Sequence, residues 1–175
     1  MAGALIKIDE EIVTSAVASV TLGGSDWDSS YDVYMVKMNK VVPDTDNVNL
    51  KMRFGVGGTP DTSSHYDVAF KLLRTDATFS NEGVTNSDNF QILNNVGTAT
   101  SEIGNSIMYL FNFNNASEYS FYTLEANVLN YVGTLKGRQG GGVLTVAQAT
   151  NSVQFFFSSG NIDTGSKFTL YGLKK

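Results

Sequence analysis

Between Tyr31 and Phe54 the chain shows its clearest hydrophobic pattern. Val48, Leu50, Met52 and Phe54 alternate with Asn49, Lys51 and Arg53, the period of two of a strand with one buried and one wet face. Before it, Tyr31, Val33 and Met35 share one face while Tyr34, Val36 and Met38 share the other, so this segment predicts a strand covered on both sides. Val42-Pro43-Asp44-Thr45-Asp46-Asn47 lies between them, and its proline and Asx residues favour chain reversal. The two arms are therefore expected to pair as a β-hairpin.

The same pattern recurs along the chain. Ile12 to Leu22 is rich in β-branched residues and stops at Gly23-Gly24, which predicts a strand followed by a polar loop around Trp27. Gly55 to Ser64 reads as a loop. Tyr66, Val68, Phe70 and Leu72 alternate with Asp67, Ala69, Lys71 and Leu73 and predict a further strand. From Thr75 to Asn105 periodicity fades into Asn, Ser, Thr, Asp and Gly, so a long excursion is expected, holding either a short strand near Phe90 to Leu93 or a functional surface. Ile107 to Phe113, Tyr119 to Tyr131, Val153 to Phe157 and Lys167 to Leu173 complete the strands, with Gly137 to Gly142 read as an interruption or mobile hairpin tip. About eight to ten short strands and no helix predict an all-β fold, an antiparallel β-sandwich of jelly-roll-like form spanning residues 1–175 as one domain.

Several strands are apolar on both faces. Ile107, Tyr109, Phe111 and Phe113 lie on one side and Met108 and Leu110 on the other, while Phe156 opposes Phe155 and Phe157. Apolar residues on an outer face point to another subunit, which makes Met108, Leu110 and Phe156 the candidate oligomer interface. Loops of the Thr75 to Asn105 excursion are the other possible cover.

Composition narrows the function classes. The net charge is −5, and the three arginines, Arg53, Arg74 and Arg138, are scattered, so no nucleic-acid footprint is read. With no cysteine there is no disulfide framework and no Cys-based zinc site. No apolar run approaches the ~20 residues that cross a bilayer, and the start of the chain does not read as a signal peptide, so a soluble protein without a membrane partner is expected.

Candidate chemistry is sparse. His65, the only histidine, stands in Ser63-Ser64-His65-Tyr66 without a G-x-S-x-G nucleophile pattern and reads as a loop residue. Asp26 with Asp28 and Asp44 with Asp46 are carboxylate pairs that suit either turn structure or calcium, and neither completes an EF-hand loop. Glu118 and Glu125 have opposite parity and are expected on opposite faces, unlike a glycosidase pair. The glycine run lacks the G-K-[ST] ending of a phosphate loop. Trp27 and Tyr31 offer either an aromatic platform for a glycan or ordinary packing. No catalytic, cofactor or metal residues are assigned, and the chain is read as non-enzymatic.

Two segments carry a resemblance. Asn151 to Leu173, NSVQFFFSSGNIDTGSKFTLYGL, looks like the closing hairpin of a group of bacteriophage virion proteins, with Phe155 to Phe157 in its first strand, Ser159-Gly160 and Gly165 in the turn, and Leu170-Tyr171-Gly172-Leu173 in the last. The Tyr31 to Phe54 segment resembles an earlier portion of the same group, whereas Thr75 to Asn105 matches nothing in it. The resemblance implies a virion β-sandwich without enzymatic activity or cofactor, found in capsid decoration or head-fibre proteins and in tail-fibre or tail-tip proteins. A homo-oligomer, plausibly a trimer, bound to the major capsid protein or other virion proteins, is the expected assembly. The alternative it implies is a tail-fibre or tail-tip subunit that binds host-surface glycan.

Overall fold

The computed structural model describes residues 4–174. They form thirteen strands: β1 (Ala4–Ile12), β2 (Ser19–Gly23), β3 (Val33–Val41), β4 (Val48–Val56), β5 (Thr59–Pro60), β6 (Tyr66–Arg74), β7 (Ser80–Ser87), β8 (Phe90–Val96), β9 (Gly104–Phe111), β10 (Ser120–Leu129), β11 (Leu135–Leu144), β12 (Ser152–Phe157) and β13 (Lys167–Lys174). Eight strands build one sheet in the order β1-β13-β3-β9-β10-β11-β6-β7, and β2-β12-β4 with β5 and β8 build the second. Every named pairing is antiparallel. Inward residues of both sheets, among them Tyr34, Val36, Met38, Leu50, Met52, Phe54, Met108 and Leu110, merge into one hydrophobic cluster.

The expected Tyr31 to Phe54 hairpin does not form. β3 pairs with β13 and β9, while β4 pairs with β12, β8 and β5, so the two arms lie in opposite sheets and residues 42–47 arch between them. Core packing accounts for it. Both arms carry a fully apolar face, and an arch puts Val36 and Met38 on one side of the core and Leu50 and Met52 on the other, whereas a hairpin would set them side by side in one sheet. The Asn151 to Leu173 segment behaves in the same way, since β12 lies in the small sheet and β13 in the large one.

The two arches are stitched together. Pro43 and Val17 both bridge Ile162, and Asp163 donates its backbone N–H to the Val42 carbonyl at 2.8 Å. Gly160 sits at φ +71°, and a Cβ there would come within 2.3 Å of the Asp44 carboxylate. The close crossing therefore requires glycine.

Other expectations change as well. The first strand ends, rather than begins, at Ile12: β1 occupies Ala4–Ile12, residues 13–18 cross the molecule, and β2 follows. The Thr75 to Asn105 excursion holds the expected β8 and also β7, a polar strand at the sheet edge. Gly137 to Gly142 is neither a tip nor an interruption; it lies inside β11, between β10 and β6. A Cβ on Gly140 would fall 2.8 Å from the Phe70 ring, and one on Gly142 would fall 2.8 Å from Tyr122 and 2.9 Å from Phe90. Aromatic rings pack onto this bare backbone and supply the apolar cover that its own side chains lack.

Candidate functional site

The outward face of the large sheet is ordered in rows that run across the strands. One row joins Val33, Phe111, Phe121 and Val143 through successive cross-strand pairs. The next joins Tyr171, Met35, Tyr109 and Thr123. Phe121 is 42% exposed and Tyr109 39%, so this half of the face presents aromatic surface to its surroundings.

Further along the same strands the chemistry changes. Thr169, Lys37, Ile107, Glu125, Gln139 and Lys71 form one row, so Lys37 and Glu125 flank Ile107 with opposite charges. Asn105, Asn127, Gly137 and Leu73 form the next. A groove of about 940 Å³ opens over these two rows, and the chain around Arg74, Thr75 and Phe79 stands at one side of it. Phe79 and Leu135 are about half exposed at that wall. Gln139 Nε2 donates to Glu125 Oε1 at 3.1 Å, and the Asn105 side-chain carbonyl accepts from the backbone N–H of Lys40 at 3.1 Å. Arg74 grips Asp76 with two bonds of 2.6 and 2.7 Å, which holds the Asp76 carboxyl down at about 2. That pair presents no net charge to the groove.

The expected interface residues separate. Met108 and Leu110 are fully buried between the sheets, and the exposed positions of the same strand are their neighbours Ile107 and Tyr109. Phe113 does not continue that outward face. Asn112 takes a left-handed φ of 59°, the alternation breaks, and Phe113 turns into the core against Trp27 and Phe54. Phe156 lies on the outer face of the small sheet beneath Arg53, whose guanidinium is 4.7 Å from the ring centroid. It is a lone half-buried ring among Lys51, Arg53 and Gln154.

Trp27 and Tyr31 both pack inward. Trp27 stacks on Phe113 at 5.1 Å and lies 4.3 Å from the Tyr34 ring, while Tyr31 meets Tyr34 edge-on at 6.1 Å. The Tyr31 ring also fills the space over Gly172, where a Cβ would lie 2.2 Å from it. Of their two readings, packing accounts for these contacts, and a sugar ring would have to displace a neighbour from Trp27's stacked face.

The carboxylates of the two pairs are used in different ways: Asp44 and Asp46 accept from distant segments, at Asn161 and Thr98, and Asp28 closes a local turn. Asp44 accepts the backbone N–H and the side-chain amide of Asn161, each at 2.8 Å, and these bonds hold its carboxyl below the usual range. Asp28 accepts the Ser30 N–H at 2.9 Å, and its carboxyl is likewise lowered by Ser30. Among the described residues no group of three His, Cys, Asp or Glu side chains is placed to hold a metal ion. Glu118 precedes β10 rather than lying on it, so the parity argument linking it to Glu125 does not apply.

His65 belongs to a small chain of hydrogen bonds that sequence did not reveal. Ser63 Oγ bonds to the Asp61 carboxylate and lies 2.6 Å from His65 Nδ1. The serine stands between acid and imidazole; in a Ser-His-Asp triad the imidazole stands between the other two and takes the hydroxyl proton. Here the serine oxygen sits between the Asp61 carboxylate and His65 Nδ1, an arrangement that ties the loop before β6.

Arg138 is the other polar feature missed by sequence reading. It projects inward from β11, is 6% exposed, and lies 4.7 Å over the Phe70 ring. It donates to the Gln91 carbonyl on β8 and to the Glu82 carboxylate on β7, so one guanidinium links both sheets and an edge strand. No family model matches this chain, and no curated protein matches it either.

Proposed function

We propose that this protein is a non-enzymatic structural subunit of a bacteriophage virion, a capsid decoration or cement-type protein with a jelly-roll-like β-sandwich. The observation that carries the proposal is the continuous apolar row Val33-Phe111-Phe121-Val143, with Tyr109, Met35 and Tyr171 beside it. Counting from β13 to β11, the two rows cross five strands spaced ~4.8 Å apart, a span of roughly 19 Å. Phe121 and Tyr109 are the exposed aromatic members of these rows, their apolar row neighbours being partly covered or, at Met35, buried, and burial of such an aromatic patch against neighbouring subunits is its ordinary use. The chain passes from one sheet to the other at eight of its twelve strand connections, as jelly-roll chains do repeatedly.

In this reading the apolar half of the large sheet is buried between copies of the protein, a trimer being one such assembly, and a loop end of the molecule faces the coat proteins. The virion resemblance of residues 31–54 and 151–173 lies in their sequence and supports the same conclusion, although both segments fold as arches and not as the hairpins it implied. Sedimentation of the purified chain tests the assembly step. A homo-oligomer that Phe121→Asp converts to folded monomer is the expected result, and a wild-type monomer at all concentrations overturns it.

A further inference from the structure

We propose that the groove on the polar half of the large sheet is a binding site for a neutral oligosaccharide, a site separate from Trp27 and Tyr31 and independent of the virion reading above. Its floor offers side-chain amides from Asn39, Asn105, Asn127 and Gln139, drawn from four adjacent strands. An amide both donates and accepts, which matches the dual character of a sugar hydroxyl. Between and beside these amides lie the apolar groups of Ile107 and Phe79, suited to the C–H faces of sugar rings. At about 940 Å³ the groove is at the upper end of the volumes used for ligand recognition.

Other occupants fit less well. An anion would meet Glu125 as soon as it met Lys37, since the two flank Ile107. Arg74 is already held by Asp76 and Arg138 by Glu82, and Lys136, the remaining cation of the lining, donates its ammonium to the Asn95 side chain. An extended peptide usually binds by adding to a free sheet edge, whereas this floor is the face of interior strands whose backbone groups are paired with one another. A second copy related by a two-fold axis through the groove would set one hollow against another and leave a void between them.

The test uses the full chain labelled with nitrogen-15 and titrated with hexasaccharides of α- and β-linked glucose, mannose, galactose and N-acetylglucosamine at millimolar concentration, alongside a hexauronate. The expected result is amide shifts confined to β3, β9, β10 and β11 for at least one neutral sugar. Asn127→Ala and Phe79→Ala, both at exposed positions, are each expected to weaken that binding about tenfold. Trp27→Ala and Phe156→Ala are expected to leave it unchanged. Absence of shifts with every neutral sugar, preference for the uronate, or binding that survives both groove variants overturns the proposal. None of these outcomes bears on whether the protein assembles through Phe121.

Discussion

Asp44 and Asn161 join the two segments that carry the chain from one sheet to the other. The carboxylate accepts both N–H groups of Asn161, backbone and side chain, at 2.8 Å each. Because the bonds favour the ionised form, the folded-state pKa lies below the ordinary aspartate value. Their contribution is thus fully present above about pH 4 and is lost as pH falls through the lowered folded value. Asp44→Ala is expected to lower Tm at neutral pH, to speed amide exchange at Asn161, and to reduce the acid sensitivity of Tm below pH 4. An unchanged Tm would show that the backbone bridges hold the arches without it.

The glycine run of β11 predicts an unusual intolerance to small side chains. Gly142→Val would place a Cβ 2.6 Å from the Asp67 carbonyl and 2.8 Å from the Tyr122 ring. A loss of about 3 kcal/mol in denaturant unfolding is expected, because backbone on one side and aromatic rings on the other leave no direction for relief. A mobile hairpin tip would tolerate the same change with almost no cost.

Arg138 should tolerate an apolar replacement better than a truncation. Arg138→Ala removes the cover from Phe70 and leaves the Gln91 carbonyl and Glu82 without their shared partner, an expected loss of about 3 kcal/mol. Arg138→Met keeps the packing over Phe70, and the partly exposed Glu82 can turn to water. Equal losses for the two variants, measured by urea unfolding, would assign the role of Arg138 to its bonds alone.

β9 and β10 separate assembly from folding on adjacent strands. Leu110→Asp puts a charge into a fully buried position and is expected to unfold the chain. Phe121→Asp changes an outward position paired with Phe111 and is expected to leave the circular dichroism spectrum unchanged while the sedimentation coefficient falls to that of a monomer. Unfolding by Phe121→Asp would mean that this row stabilises the single chain rather than a contact between chains.

What could be read from sequence was the alternation of individual strands. β4 and β6 were expected from their apolar period, β8 from the rarity of long structureless loops and its few apolar anchors, and the all-β class from the number of such strands. Partner choice was not legible, because alternation says which face is buried and nothing about which sheet supplies the neighbour. The Tyr31 to Phe54 segment illustrates this: its turn chemistry suits a hairpin and an arch equally, and the arch places Val36 and Met38 in one sheet and Leu50 and Met52 in the other, all within one core. β1 and β7 were missed because edge strands carry charge and polar residues, as Lys7, Asp9, Glu10 and Glu11 do. The glycine run was misread because its apolar cover comes from Phe70, Phe90 and Tyr122, which are distant in sequence. The groove had no local signal, since its residues come from five strands and converge only through the register of the sheet.

Membership of a virion lattice is decided by the copy number of the protein in purified particles, measured by quantitative mass spectrometry against the major coat protein. Hundreds of copies in a fixed ratio to the coat protein are expected. A few to a few dozen copies would place it on a fibre or tail and contradict the decoration assignment, and its absence from the particle would contradict the virion reading altogether.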